Sequence, residues 1–343
     1  MAYSPITKST DYFNTKLYTG NSSTQSITGV GFQPDWVSIK DRDATNSFMT
    51  FDAVRGATQL LNWNTTNTES TQTPTLTSFN SDGFSIGNNT ALNTNGNDLV
   101  AWNWKANGAG SANTAGSINS TVSVSTTSRF SIVSYSGTGS LATVGHGLGV
   151  KPKMIIVRKR NSAENWLVYN EKLTASNYLL FNSTGASGAD NMWNSTEPTS
   201  SVFTVNAVDG ANGSGGNYIA YCFADVQGYS KFSSYVGNGN ADGTFVYTGF
   251  KPAWVMVKNT NAVNHWAIYD NKRIGFNTEN NYLRADGSYA EGSETWGDFD
   301  LLSNGFKPRA TDAMINSSGN TFIYMAFAEN PFVASNFNAA TAR

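Results

Sequence analysis

The sequence predicts an all-β protein made of three tandem β-sandwich domains, jelly-roll or lectin-like in type and about 100 residues each. Composition is the first observation behind this prediction. Charged residues make up only 13% of the 343-residue chain, whereas hydrophobic residues reach 39%. The remaining positions are dominated by Asn, Ser, Thr and Gly, which favour strands joined by tight turns over long salt-bridged helices. Turn signals such as Asp209-Gly210 and Asn304-Gly305 recur at the spacing of a sandwich.

The second observation is an internal repeat, which three segments of equal length reveal when they are aligned without gaps. Each segment begins with Gly-x-x-Pro and runs through β-branched residues to a basic residue. Aromatic residues follow eight and eleven positions after that base. A strand that is apolar on both faces and begins at proline is typical of the middle of a sandwich sheet. The segments are Gly31–Asp52, Gly149–Asn170 and Gly249–Asp270.

The flanks of these segments indicate the domain boundaries. An aromatic-x-Gly strand end precedes each segment, and an apolar closing strand follows it. We predict a first repeat at 1–106, a Gly/Ala/Ser/Asn linker at 107–116, a second repeat at 117–228, a third at 229–332 and a C-terminal tail at 333–343. The connection Gln227–Gly228 is short, so we expect the second and third repeats to dock tightly. The first repeat differs most from the others and precedes the linker, and we expect it to be the attachment domain, with the other two projecting outward.

Charge and hydropathy exclude several classes of partner. The formal net charge is −2, and no basic cluster is present, which argues against nucleic acid. No apolar stretch is long enough for a membrane span, and the N-terminal residues lack the pattern of a secretory signal. We therefore expect neither nucleic acid nor membrane as a partner, and synthesis in the cytoplasm.

Candidate catalytic and metal-binding residues are few, and the repeat itself tests them. His146 and His265 each occur in one repeat only and in different repeats, and neither has a neighbouring cysteine of the kind that completes a zinc site. Cys222 occupies a small position on a closing strand, where packing is the simpler interpretation. The one recurring acidic position is Asn in the second repeat, which suits a turn cap better than acid–base catalysis. We expect no enzymatic activity, no cofactor and no metal; the aligned acidic position is Asp52, Asn170 and Asp270.

Tryptophans in polar loops are the only candidate ligand-binding residues. Trp193 and Trp296 each precede the aromatic residue of the following strand by ten positions, and Trp63 is the loop tryptophan of the first repeat. A loop tryptophan beside Asn and Asp is typical of a sugar-binding platform, in which the indole faces the C–H groups of a pyranose ring. The alternative is that each indole folds back to cover the end of the sandwich, because large aromatic side chains gain free energy by burial.

Two stretches resemble a known family. Residues 145–158, which read GHGLGVKPKMIIVR, and residues 217–232, which contain NYIAYCFA and GYSKF, are similar to a domain of unknown function that recurs in virion proteins of marine bacteriophages. Those proteins are described as tail fibre, tail or generic structural proteins, and the domain is sometimes grouped with lectin-like sandwiches. The resemblance covers the second and third repeats almost throughout, whereas the first repeat lacks the His-Gly-Leu-Gly lead-in.

The resemblance implies a non-enzymatic structural protein exposed on the virus particle, and a tail-fibre or receptor-binding component is the first expectation. The alternatives are a head decoration protein and a carbohydrate-binding protein that uses the loop tryptophans. The implied partners are other virion proteins and a host surface glycan or receptor. Fibre proteins of this kind often form homo-oligomers, among which a trimer is favoured.

Overall fold

The computed structural model describes residues 4–331, and its regular structure is almost entirely antiparallel β-sheet. This confirms the predicted all-β, sandwich-type fold. Short 3-10 turns cover Ser9–Asp11 and Thr295–Gly297. The predicted C-terminal tail at 333–343 lies outside the described residues.

The strands fall into three sets along the chain. Set 1 contains β1 (Phe13–Thr19), β2 (Gln25–Thr28), β3 (Trp36–Asp41), β4 (Met49–Asp52), β5 (Gln59–Asn62), β6 (Ser70–Thr71), β7 (Leu76–Asn80), β8 (Gly83–Ile86), helix α1 (Thr90–Asn93) and β9 (Asp98–Trp104). Set 2 contains β10 (Ser111–Asn113), β11 (Ser120–Ser125), β12 (Phe130–Ser136), β13 (Ala142–Gly145), β14 (Met154–Lys159), β15 (Trp166–Asn170), β16 (Asn177–Leu180), β17 (Gly188–Ala189), β18 (Val202–Val205), helix α2 (Asp209–Asn212) and β19 (Asn217–Phe223). Set 3 contains β20 (Ser230–Val236), β21 (Val246–Tyr247), β22 (Lys251–Asn259), β23 (Trp266–Asp270), β24 (Leu283–Arg284), β25 (Phe299–Leu302), β26 (Gly305–Pro308) and β27 (Thr321–Asn330).

Each set forms one large and one small sheet. The large sheets have the orders β1-β9-β3-β4-β5-β6, β10-β11-β12-β19-β14-β15-β16-β17 and β20-β27-β22-β23-β24. The small sheets are β2-β8-β7, β13-β18 and β21-β26-β25. In every large sheet the closing strand (β9, β19 or β27) pairs with the strand that follows the Gly-x-x-Pro motif, so the aligned sequence segments occupy equivalent places.

The large sheets are buried on both faces. One face of each packs on its own small sheet and encloses a separate apolar core, in set 1 around Val37, Phe51 and Phe84, with counterparts in sets 2 and 3. The opposite faces of all three large sheets meet in one central core. Burial of this second face explains why β3, β14 and β22 carry apolar residues on both sides. It also joins the three sets into a single body.

Aromatic side chains fill the central core. The Trp36 ring stacks on Tyr221 of set 2 with centroids 4.3 Å apart, and it lies 4.4 Å from Trp104. Trp104 in turn meets Trp254 of set 3 edge to face at 5.9 Å. Large apolar surfaces of this kind dominate the energetics of a core, so contacts between sets contribute as much to folding as contacts within a set.

Backbone hydrogen bonds close the three sets into a ring around this core. The Glu69 amide of set 1 donates to the Arg160 carbonyl of set 2 at 2.8 Å, and the Ser187 amide of set 2 donates to the Thr260 carbonyl of set 3 at 2.9 Å. The ring closes where the Glu291 amide of set 3 donates to the Arg42 carbonyl of set 1 at 2.8 Å. The same contact therefore recurs at every junction, which gives the chain a pseudo-threefold axis through the central core.

The segment predicted as a linker, residues 107–116, is built into the fold. It contains β10, which pairs with β11 in register from Ser111 to Asn113. The Asp35 carboxylate of set 1 accepts hydrogen bonds from the amides of Ala106 at 2.7 Å and Gly108 at 3.0 Å. The small and polar composition that suggested a spacer instead permits a close path between sets 1 and 2. The first repeat is therefore not a separate body from which the other two project, because all three sets share one core; its expected role as the attachment domain stays a prediction.

We predict that the chain unfolds in a single cooperative transition, because removing any set exposes the aromatic face of the other two. Differential scanning calorimetry of the full chain should give equal calorimetric and van 't Hoff enthalpies. A fragment of residues 107–343, which lacks set 1, should bind the dye ANS and show no cooperative transition. A fragment that melts cooperatively near the midpoint of the full chain would contradict this shared core.

Candidate ligand site on the pseudo-threefold axis

The three tryptophans predicted as sugar platforms occupy different environments. Trp63 is 1% exposed and lies in the central core, where it stacks on Phe48 at 5.5 Å. Trp193 is 2% exposed and meets the Tyr169 ring edge to face at 6.1 Å inside the set 2 sandwich. The prediction of a sugar-binding platform is therefore wrong for both residues, and the alternative, in which the indole is buried, is correct. Trp296 is 36% exposed and remains accessible to a ligand.

The single cysteine and one histidine are buried among packed side chains. Cys222 is fully buried in the set 2 sandwich, and this burial raises the pKa of its thiol, which opposes formation of a nucleophilic thiolate. His146 is also fully buried, and burial lowers its pKa to about 4, although a hydrogen bond with the Thr199 carbonyl acts in the opposite direction. Within residues 4–331, no group of three or more His, Cys, Asp and Glu side chains could hold a metal ion.

Three buried cations surround the axis at one end of the central core. They are the basic residues of the repeated segment, Lys40, Arg158 and Lys258, and all three are 0% exposed. Each donates to backbone carbonyls: Lys40 Nζ to Ala44 at 2.9 Å, and Lys258 Nζ to Thr184 of set 2 at 2.8 Å. Burial lowers the pKa of both lysines to about 8. Arg158 and Lys258 thereby fix a loop of the neighbouring set, whereas Lys40 bonds only to carbonyls of its own set.

One polar side chain in each set, at equivalent positions, accepts a hydrogen bond from a backbone amide at the start of the strand that follows the cation. The side-chain oxygen Oδ1 of Asn64 accepts from the Phe48 amide at 3.1 Å, and that of Asn182 accepts from the Trp166 amide at 2.9 Å. In set 3 the position is Asp286, whose Oδ1 accepts from the Trp266 amide at 2.7 Å.

The neighbouring side chain differs among the sets. Asn64 donates through Nδ2 to Ser47, and Asn182 donates to Asn165. In set 3 the second oxygen of Asp286 lies 2.7 Å from Nδ1 of His265. The equivalent pairs are therefore Ser47–Asn64, Asn165–Asn182 and His265–Asp286, and only the third contains ionisable groups.

The three caps line one open depression of about 510 Å³, which we call the axial pocket. Because equivalent residues of all three sets contribute, the pocket straddles the pseudo-threefold axis. Its asymmetric side is the loop after Asp286, where Tyr289 is 47% exposed. The lining residues are Asn64, Asn182, Ser183, Thr184, His265, Asp286, Gly287, Ser288 and Tyr289.

Aromatic rings and one guanidinium adjoin the pocket in set 3. The Arg284 guanidinium carbon lies 4.7 Å from the centroid of Tyr289 and 5.7 Å from that of Trp296. Tyr282 packs against the same guanidinium at 5.3 Å and donates its hydroxyl to Glu294. This stack holds two partly exposed rings beside a polar depression. It is the arrangement of flat apolar and hydrogen-bonding surfaces that the loop tryptophans had suggested, built from one of them, Trp296, together with Tyr289.

A family model described as "Domain of unknown function (DUF7483)" matches residues 8–331. The chain belongs to this family. No curated protein and no solved structure matches the chain. The DUF7483 match runs through all three strand sets, in agreement with the single shared core. Across residues 4–331, no helix is both long enough and apolar enough to cross a membrane.

Sequence reasoning missed most of the axial pocket of this DUF7483 chain. Asp286-Gly287 resembles an ordinary turn, and Asn64 and Asn182 resemble ordinary loop residues. The available signal was positional: Asn64 and Asn182 each lie 16 residues after the aromatic residue whose amide they cap, and Asp286 lies 20 residues after its own. Extending the repeat alignment beyond Asp52, Asn170 and Asp270 would have found them.

The recurring acidic position lies at the junctions between sets, and the structure supports its interpretation as a turn cap. Asp52 Oδ1 accepts from the amides of Val54 and Arg55, and its Oδ2 accepts from Arg55 Nε at 2.5 Å and from the hydroxyl of Tyr221 in set 2 at 2.7 Å. Arg55 also reaches Glu69 at 3.1 Å, and Glu69 pairs with Arg160 of set 2 at 2.7 Å.

A matching network crosses the junction of sets 3 and 1, but the junction of sets 2 and 3 lacks one. Between sets 3 and 1 the network joins Asp270, Arg273, Glu291, Arg42 and the indole of Trp102. At the remaining junction the equivalent positions carry no charge; they are Asn170, Leu173, Ser187, Thr260 and Met325. Acid and base were thus replaced together, which is the pattern expected where an unpaired buried charge is costly.

We predict that Glu69→Gln and Glu291→Gln each destabilise the chain at neutral pH by about 3 kcal/mol, because each leaves a buried guanidinium short of a partner. Burial alone would raise the pKa of Glu69, but Arg160 and Arg55 outweigh it and hold that pKa below its usual value. The pKa of Glu291 is lowered in the same way, by Arg273 and Arg42. Lowered pKa values add stability above the unfolded-state pKa, and this stability is lost as pH falls through the folded-state value.

Urea unfolding between pH 7 and pH 3 measures this effect, and the difference between each variant and the unmodified chain should shrink as pH falls. Asp242→Asn, which removes an exposed ion pair with Lys307, is the control and should change stability little at any pH. A constant difference across the pH range would show that the two glutamates stabilise the junctions by packing and not by charge.

Proposed function

We propose that this chain is a non-enzymatic structural protein of a bacteriophage particle, exposed at the particle surface as a tail-fibre or receptor-binding component. The stretches at 145–158 and 217–232, which resemble virion proteins of marine bacteriophages, support the origin. The DUF7483 description assigns no activity, so the proposed role rests on that resemblance and on the architecture.

The observation that carries the proposal is the closed pseudo-threefold ring. The large sheets share one aromatic core, and the segment between sets 1 and 2 is hydrogen-bonded into the body, so the described residues form one rigid unit. A rigid unit with a pseudo-threefold axis fits the end of a trimeric fibre, where three equivalent surfaces meet a single partner. The trimer expected from the resemblance is, in this proposal, replaced by three strand sets within one chain.

The environment of the ionisable residues supports a role without catalysis. Cys222 and His146, two of the candidate residues weighed from the sequence, are fully buried. The carboxylates of Asp52 and Asp270 are engaged by arginines and by turn amides at the junctions, where they stabilise the ring.

Two alternatives share this architecture. A head decoration protein would use the same rigid ring at a local threefold position of the shell. A carbohydrate-binding protein is favoured by a separate observation, the partly exposed Tyr289 and Trp296 around Arg284 beside the axial pocket.

We predict that antibodies raised against this chain label the tail or fibres of the parent particle in immunogold electron microscopy. Antibody adsorbed with the purified chain is the control and should remove the label. Label distributed over the head would replace the fibre proposal with the decoration alternative. Intact particles that carry no label while the chain is present in the infected-cell lysate would contradict a virion location.

A further inference from the structure

We infer that the axial pocket binds a neutral pyranose residue of a saccharide, with Tyr289 as the stacking surface and the caps Asn64, Asn182 and Asp286 as partners for its hydroxyl groups. This inference deepens the proposed function by naming the ligand class and the residues of receptor binding. It places the site on the pseudo-threefold axis and not at the loop tryptophans Trp63 and Trp193.

The Tyr289 ring is held in place although it is exposed. A Cβ atom at Gly287 would lie 2.5 Å from two ring carbons of Tyr289, so only glycine lets the ring lie this close to the loop backbone. Arg284 contacts the ring at 4.7 Å, and His265 meets it edge to face at 5.4 Å. A fixed aromatic surface loses little conformational entropy when it stacks against a ligand. Its exposure of 47% leaves room for one.

The rim of the pocket offers both donors and acceptors. Each amide nitrogen of Asn64 and Asn182 carries two hydrogens, and a single bond to Ser47 or Asn165 leaves one available. Each Asp286 oxygen makes one hydrogen bond and can accept another. A pyranose with neighbouring hydroxyl groups matches this mixture, since each hydroxyl both donates and accepts.

The charges favour a neutral ligand. Lys40, Arg158 and Lys258 are fully buried and already donate to backbone carbonyls, so they do not present hydrogens to the pocket. The one carboxylate that lines the pocket, Asp286, would repel a phosphate or a uronic acid. Its direct partner is the imidazole of His265, and the buried Lys258 ammonium also interacts with its charge, so the carboxylate is already balanced by cations of the protein.

The experiment uses the full chain and saturation-transfer difference NMR with glucose, galactose, mannose and N-acetylglucosamine at millimolar concentration. We expect transfer to at least one of these sugars, and Tyr289→Ala to weaken its binding by about tenfold. Tyr247→Ala, which truncates another exposed tyrosine of set 3 (59% exposed), is the matched control and should bind as the unmodified chain does. Absence of transfer from all four sugars, or equal loss in both variants, would overturn the inference.

The repeat supplies a second variant that keeps the fold. Asp286→Asn installs the residue that sets 1 and 2 carry at the same position, so the cap on the Trp266 amide is retained while the carboxylate is lost. We expect unchanged thermal stability with binding weakened several-fold, and full affinity in this variant would remove Asp286 from the site. Sugar binding is measured on the isolated chain and particle location by immunogold, so either proposal can fail without the other.

Discussion

The burial of both faces of the large sheets is the constraint on which the rest of the structure depends. A sandwich normally buries one face of each sheet and exposes the other, but here the second face carries Trp36, Trp166 and Trp254. An isolated set would expose this aromatic surface to water, far beyond the apolar patches that stable monomers tolerate. The three sets therefore require one another. The cations at one end of the axis and the ion networks at the junctions are the polar edges of that shared core.

The sequence predicted the strands well because the residues that specify a strand or a turn are close neighbours along the chain. The strands that follow Gly-x-x-Pro and the closing strands lie where the repeat alignment placed them, and β3 is buried on both sides as expected of a central strand. What the alignment could not show was the identity of the layer that covers the second face. A strand buried by its own small sheet and a neighbouring set has the same composition as one buried in an ordinary sandwich.

The assignment of tryptophans failed for a related reason. Trp63 stands between Asn62 and Asn64, and a polar neighbourhood is typical of an exposed loop. Both asparagines, however, use their side chains to bind the backbone around Phe48, which leaves the indole between them directed into the central core. Sequence alone cannot separate a polar residue that faces solvent from one that caps a buried strand. The equivalent positions Phe181 and Ala285, both in the same core, are the evidence that Trp63 is a packing residue.

Divergence among the sets gives the ring properties that three identical subunits could not have. Ion networks cross two junctions, whereas the third is uncharged at every equivalent position. In a homotrimer each substitution would occur three times, and a pocket on the axis would be lined by three copies of each residue. In this chain the pair His265–Asp286 and Tyr289 line the pocket only once, so the axial pocket is asymmetric. An asymmetric pocket can match the different faces of a sugar ring.

The closure of the ring also brings the beginning and the end of the described chain together. Phe13, on the first strand, stacks on Phe327, on the last, with ring centroids 4.8 Å apart. The packing therefore does not distinguish which set comes first along the chain. A cyclic permutation that joined these neighbouring strands through a short connection and opened the chain between β19 and β20 would retain the contacts of the central core.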